Sequence, residues 1–341
     1  MSKRPVPSCA VLYCGIDVSA ATLAVAVQPE GSDSLEQREF ANTTAGHRQL
    51  VAWLRQRGIM TRVSLEATGI YSLDVALVLD AAEGIEVAVL NPRTVHQFAE
   101  SLRRSKTDAA DAVALAAYSR RMPFVAWVRP SEAGLELRSI SRHIETLSQE
   151  HARLKNRLHA AKGSAATPRC VREDLRRSMT GLQKRLLRLR REAMAVMASD
   201  AGLERKFEHL TGIKGIAEVS AIHLLGELAD LDPKMTVRQW VAQSGLDPVH
   251  RISGTSVHPA SRISRRGNRH LRRALFMPAV SASRFDPHVK AFYNQLLERN
   301  KTKMQALTAV ARKLLHAIFG IFKTATAWDG AKLFPQLHPT L

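Results

Sequence analysis

The first 130 residues change their hydropathy period in a fixed order, and that order limits the available folds more than any other property of the chain. Strand-like runs occur at "AVLYCGID", "TLAVAVQ" and "EQREFAN", the first two flanking the short turn Val18 to Ala21. A helix-like period follows from Thr44 to Arg57, then the strand "RVSLEA", a helix from about Ser72 to Ala82, and the strand "IEVAVLN". A chain that alternates in this way buries its apolar runs in a sheet covered by helices, which predicts an α/β domain over residues 10–130.

Three strands, then helix, strand, helix, strand, is the order of an RNase H-like, RuvC-like fold. Four acidic residues stand where such a core gathers side chains: Asp17 in "YCGIDVSAAT", Glu66 in "RVSLEATGIYSL", and Asp108 with Asp111 in "RRSKTDAADAVALA". Asp17 and Glu66 fall at the ends of predicted strands. Asp108 and Asp111 are three residues apart, so on a helix they share one face. Hard oxygen donors in this number suit Mg²⁺ or Mn²⁺ rather than zinc. Two such ions are able to hold a scissile phosphate, activate a nucleophile and stabilise the leaving oxygen.

The overall charge points to the same chemistry. Lys and Arg number 50 against 31 Asp and Glu, a formal net charge of +19, which favours a polyanionic partner through counterion release and steering. With 341 residues, 45% of them hydrophobic, the chain is long enough for more than one packed core. Its three cysteines, Cys9, Cys14 and Cys170, show neither paired spacing nor Cys/His ligand spacing. A disulfide framework and a structural zinc site are therefore not expected. No stretch approaches the roughly 18 apolar residues of a membrane span, and the amino terminus lacks a sustained apolar core, so the expected protein is soluble, cytoplasmic and not membrane-bound.

From Leu137 the period becomes heptad-like, with apolar residues at Ile140, Ile144, Leu147, Leu154, Leu158 and Ala161, and His151 as the polar member of the seam. A turn over 162–170, "KGSAATPRC", precedes the same spacing at Leu175, Met179, Leu182, Leu186, Leu189, Ala193 and Val196. The segment 131–200 thus reads as a coiled-coil connection, folded back as an antiparallel hairpin or paired with another subunit. Its other faces carry Arg153, Arg157, Arg172, Arg176, Arg177, Arg185, Arg188 and Arg190, a one-signed surface suited to a phosphate backbone.

The remaining segment, 201–330, reads as mostly helical. In "LTGIKGIAEVSAIHLLGEL", Gly212 and Gly215 around Lys214 allow a helix-hairpin-helix turn whose N–H groups face a phosphate. Further on, Arg265, Arg266, Arg269, Arg272 and Arg273 crowd the entry of a helix predicted from about Asn268. These arginines, with Arg153, Arg157, Arg176 and Arg185, are the candidates for contact with a nucleic-acid backbone.

The blocks "GIDVS", "LEATGIY", "VLNPRTVHQFAESLRRSKTDAADAVALA" and "GLDPVHRISGTS", followed by "ISRRGNRHLRRAL", resemble the transposases of the IS-one-ten insertion-sequence family, which includes the Piv-type DNA invertases. The resemblance runs over nearly the whole chain. It implies a DEDD tetrad of Asp17, Glu66, Asp108 and Asp111 in a RuvC-like domain, a coiled-coil connection, and a carboxy-terminal transposase domain carrying a nucleophilic serine. The position matching that serine is Ser253 of "RISGTS", with Ser244, Ser256 and Ser264 as nearby alternatives. A serine hydroxyl needs activation, and the resemblance implies that the metal-bound carboxylates provide it, giving a phosphoserine-DNA intermediate. It further implies guidance by a structured noncoding RNA that pairs with target and donor DNA, and dimers that assemble into tetramers. Where the family often has lysine after "DVS", this chain has Ala20, a change that removes no known chemistry.

The expected protein is therefore a DNA transposase or recombinase using Mg²⁺ or Mn²⁺ and a serine nucleophile. Two other readings fit the residues less fully. One is a metal-dependent, junction-resolving nuclease that uses water; the other is a non-catalytic nucleic-acid-binding protein that has kept the fold.

Overall fold

The computed structural model describes residues 11–67, 69, 71–102, 107–229, 231–249 and 262–334, and the chain divides into two compact units, 1–129 and 130–341. In the first unit the elements are β1 (Val11–Val18), β2 (Thr22–Pro29), β3 (Glu36–Ala41), α1 (Thr44–Arg55), β4 (Met60–Glu66), α2 (Tyr71–Asp80), β5 (Ile85–Leu90), α3 (Pro92–Leu102) and α4 (Asp108–Arg121). They match the expected order, with the addition of α3. That helix, in "VLNPRTVHQFAESL", went unread because its apolar residues lie among polar ones with no obvious run.

The five strands form one sheet in the order β3-β2-β1-β4-β5. β2 lies antiparallel to both β1 and β3, whereas β1, β4 and β5 run parallel. The central β1 is buried on both faces, as a strand covered by helices on each side must be. The peripheral β3 buries only Phe40 of its six residues. Its alternating charges suit an edge strand.

The two sheet faces are built from different sizes of residue. Leu12, Cys14, Ile16, Val18, Val63 and Leu65 join Leu50, Trp53 and Leu54 of α1 and Val75, Ala76 and Leu79 of α2 in a large apolar core. The opposite face is small: Gly15, Ala24 and Ala26 meet Ala112 and Ala116 of α4. A Cβ placed on Gly15 would lie 2.1 Å from the Ala112 carbonyl oxygen and 2.2 Å from the Ala116 nitrogen. The backbone of α4 therefore rests directly on β1, an approach open to glycine alone.

The second unit is almost wholly helical. Its elements are α5 (Glu132–Gly163), α6 (Arg169–Ala198), α7 (Ala201–Thr211), α8 (Glu218–Leu228), α9 (Val237–Ser244), β6 (Pro248–Val249), β7 (Arg262–Ile263), α10 (Arg269–Ala274), α11 (Phe276–Phe285), α12 (Pro287–Glu298), α13 (Lys303–Thr324) and α14 (Gly330–Leu333). The long helices α5 and α6 pack against each other as a hairpin within the chain. The heptad residues Leu137, Ile144, Leu147, Leu182, Leu186, Ala193 and Val196 are buried in the same core as Leu224, Leu225, Leu271 and Leu314 from the later helices. The segment read from sequence as a separate connection thus shares its core with the helices that follow it.

Prediction: Gly15→Ala forces α4 off the sheet and destabilises the chain by about 3 kcal/mol or more, the cost of an overpacked core with backbone on both sides. Denaturant unfolding of the purified variant measures this; a loss below about 1 kcal/mol would contradict the close approach.

Candidate functional site

The carboxylates are brought together by strand alternation and by the seating of α4. Side chains two apart on a strand share a face, so Asp17 emerges on the same side as Gly15, the side covered by α4. β1 and β4 are parallel with Gly15 opposite Ser64 and Ile16 opposite Leu65, which brings Glu66 level with Asp17. The start of α4 comes to the same place. Ser119 near its end donates to the Arg62 carbonyl at 3.2 Å, while Ala112 and Ala116 cover Gly15. The helix thus runs back along β1, with its first turn towards Asp17.

That first turn contains Asp108 and Asp111. Thr107 caps it, accepting a hydrogen bond from the Ala110 N–H at 3.2 Å, and its carbonyl accepts from the Asp111 N–H at 2.9 Å. Carboxylates at this end of a helix are favoured by its dipole, which offsets part of their mutual repulsion. The repulsion is visible in Asp17. Burial first, then the carboxylates of Asp108, Asp111 and Glu66, push its carboxyl up from 3.8 to about 6, against a hydrogen bond from the Val18 backbone. All four sequence-predicted acidic residues therefore act on one point.

Among the described residues no three His, Cys, Asp or Glu side chains stand close enough together to hold a metal as they are. The donor set nevertheless fits a hard divalent cation: four carboxylates, no thiol or imidazole, and one carboxyl, that of Asp17, pushed up first by burial and then by its like-charged neighbours. Next to the cluster, the Ser64 hydroxyl is buried without a hydrogen-bond partner. Cys14, on the other face of β1, is buried and its thiol is pushed far up by burial, which makes it an inert core residue.

In the helical unit, Ser253 and Ser256 lie outside the described residues, and the structure fixes the two ends of the segment that holds them. Gly245 ends α9 at φ 65°, a left-handed cap. β6 then pairs with β7, Pro248 opposite Ile263 and Val249 opposite Arg262. The Ser264 N–H donates to the Asp247 carbonyl at 2.9 Å and the Arg265 N–H to that of Gly245 at 3.1 Å. Of the alternative serines, Ser244 is fully buried and donates its hydroxyl to the Val241 carbonyl at 2.7 Å. Ser264 donates to the Asp247 carboxylate. Both hydroxyls are committed to local structure.

The predicted backbone-binding residues divide in the same way. Arg153, Arg157, Arg176 and Arg185 are exposed on the α5–α6 hairpin and enter no ion pair among the described residues. Arg265, Arg266 and Arg269 are also exposed. Arg272 instead turns inward, donating to the Ser244 carbonyl at 2.8 Å, and Arg273 pairs with Glu145 at 3.3 Å. In the turn between α7 and α8, Gly212 and Lys214 are exposed, whereas Gly215, at φ 104°, is pressed against α11, where a Cβ would come within 2.7 Å of the Ala282 nitrogen. Sequence reasoning did not find Arg142, Glu145, Glu227 or Asn268, which form a polar seam between α5, α8 and α10. Their only signal was a lone Glu in the apolar run of α8.

Two family models match the chain: one described as Transposase over residues 14–161, the other as Transposase IS116/IS110/IS902 family over residues 207–294. Pilin gene-inverting proteins of Moraxella bovis and Moraxella lacunata are each 27% identical over 326 residues, covering 93% of this chain and 97% of theirs. The insertion element IS110 uncharacterized 43.6 kDa protein of Streptomyces coelicolor is 32% identical over 120 residues, 35% of this chain and 29% of its own length. The first model contains all four carboxylates, and the second contains the segment from Gly212 to Arg273.

Prediction: Asp17→Asn stabilises the metal-free protein at pH 7 but not at pH 4. The folded-state value near 6 lies above the ordinary 3.8, so the unfolded chain ionises first as pH rises. Wild-type stability therefore falls across that window and the variant's does not. Thermal melts in chelator at the two pH values measure it; an equal Tm difference at both would contradict the carboxylate crowding.

Proposed function

The chain belongs to the IS110 family of transposases, and on that premise we propose that it is a DNA recombinase in which a RuvC-like carboxylate site and the serine Ser253 act in one reaction. The observation that supports the reading is the placement of Asp17 and Glu66 at the ends of the adjacent central strands β1 and β4, with Asp108 and Asp111 in the first turn of α4, near enough for all three to raise the Asp17 carboxyl. Four carboxylates in a protein of net charge +19 are hard to explain except as a cation site facing a polyanion.

Asp17, Glu66, Asp108 and Asp111 would hold Mg²⁺ or Mn²⁺, which when bound polarises a phosphoryl oxygen and neutralises developing charge. The Ser253 hydroxyl forms the new ester bond to phosphorus. The ester oxygen of the neighbouring sugar leaves and takes up a proton as a free hydroxyl. Attack by a strand hydroxyl of the second DNA on the phosphoserine reverses these changes, so the strands rejoin with the number of ester bonds conserved. The exposed arginines of the hairpin, with Arg265, Arg266 and Arg269, hold phosphates by charge and read no bases. Target choice is then left to pairing with a structured noncoding RNA, a division of labour that suits a basic surface without a base-reading element. Dimers assembling into tetramers supply the copies that two DNA partners require.

Prediction: purified with its flanking element DNA, the wild-type protein carries a discrete RNA and recombines, while Ser253→Ala and Asp108→Asn each lose recombination by at least about a hundredfold. Cleavage surviving in Ser253→Ala would leave a water-using nuclease. Activity surviving in both would leave a nucleic-acid-binding protein whose acids are not catalytic.

Prediction: Arg176→Ala with Arg185→Ala weakens DNA or RNA binding uniformly across sequences and reduces the salt slope of log K by about one to two. A change in sequence preference with the slope intact would contradict backbone contact.

A further inference from the structure

The segment holding Ser253 springs from the β6–β7 ladder, and the far end of that ladder is tied into the helical core by one buried carboxylate. Glu227 of α8 has a side chain only 2% exposed. Arg142 of α5 grips both of its oxygens, Nε to Oε1 at 2.7 Å and Nη2 to Oε2 at 2.9 Å. The same Oε2 accepts from the Asn268 side-chain amide. These bonds hold the Glu227 carboxyl below its usual range despite burial.

Asn268 is the hinge pin of the segment's return. Its side-chain carbonyl caps α10, accepting from His270 N–H at 2.9 Å and Leu271 N–H at 3.1 Å. Its own N–H donates to the Gln243 carbonyl of α9 at 2.6 Å. Gly267 beside it has no room for a Cβ, which would stand 2.3 Å from that carbonyl oxygen. A second clamp lies alongside: Glu145 of α5 accepts from His270 Nδ1 at 2.6 Å and from Arg273 at 3.3 Å. Four residues separate Ile263 of β7 from the helix cap at Asn268, so the ladder has little freedom once Asn268 is fixed.

We propose that Glu227 is a positioning residue for the recombination reaction: through Asn268, and itself held by Arg142, it fixes the ladder from which the serine segment emerges. The inference rests on Ser253 being the nucleophile. A nucleophile displaced by about 1 Å costs on the order of a hundredfold in rate, whereas most of the ground-state binding is kept by the exposed arginines of the α5–α6 hairpin, which the Glu227–Asn268 contact does not place. A purely structural buried pair behaves differently. Replacing both partners by apolar residues of similar volume is often neutral for stability or better.

The test uses the full-length protein with its nucleic-acid partners and a DNA duplex that traps the covalent protein-DNA adduct. DNA affinity, Tm and the rate of adduct formation are measured for Glu227→Gln, for Asn268→Ser, which keeps a helix cap but loses the donor to Glu227, and for the double variant Arg142→Met/Glu227→Met. The expected result is a fall of about ten- to a hundredfold in adduct rate for all three, with affinity within about threefold of wild type. The double variant's Tm should recover while its rate does not. Wild-type rates in Glu227→Gln and Asn268→Ser would overturn the inference, as would a double variant that regains both Tm and rate. Ser253→Ala, run in parallel, separates the two claims: an adduct that persists without Ser253 removes the serine reading and this inference with it, whereas its loss there alone leaves only the positioning role refuted.

Discussion

The contact on which the amino-terminal unit depends is the backbone of α4 lying against β1 at Gly15. It has the form of a steric constraint with an electrostatic result. Because the Gly15 position carries no Cβ, and because Ala24, Ala26, Ala112 and Ala116 line the same seam, the helix settles close to the sheet. Its first turn then falls beside the ends of β1 and β4. Without that approach, Asp108 and Asp111 would not weigh on Asp17, whose carboxyl they help raise to about 6. The other face of the sheet, filled by Leu12, Ile16, Leu65 and Leu79, supplies the hydrophobic stabilisation that lets this face be polar at one end.

The helical unit answers with the opposite device. There the polar groups lie inside, and they are satisfied: Glu227 by Arg142 and Asn268, Glu145 by His270 and Arg273. Such a seam gives little net stability over an apolar one. It does fix α5, α8 and α10 in one register, beside the place where the chain passes from β7 into α10. One unit thus gathers like-charged carboxylates around the half-buried Asp17, and the other pairs its buried carboxylates with cationic and amide donors inside the core.

Much of this was legible in the sequence because its signals are local. The period-2 runs of β1, β2 and β4, the heptads of α5 and α6, and the Asp108/Asp111 pair each declare themselves within a dozen residues. Asp17 and Glu66 are readable as strand-end acids, though their adjacency depends on the parallel pairing of β1 with β4, which spacing alone does not give. What sequence could not show was relational. Arg272 and Arg273 look like their neighbours Arg266 and Arg269, and only the fold reveals that Arg272 braces the Ser244 carbonyl and that Arg273, itself exposed, pairs with Glu145. Gly215 reads as a phosphate-binding turn glycine, while in the fold its missing Cβ makes room for α11. Glu227 and Arg142, eighty-five residues apart, give no joint signal in the chain.

The central claim is that the four carboxylates constitute one divalent-cation site. Titration of Mn²⁺ into the metal-free protein, followed by the loss of its free-ion paramagnetic resonance signal, tests this most directly. The account predicts saturable binding in the wild type that is weakened at least about tenfold by Asp17→Asn, Glu66→Gln, Asp108→Asn or Asp111→Asn alike. Binding that is unchanged in any two of these variants would show that the acids lie near one another without sharing an ion.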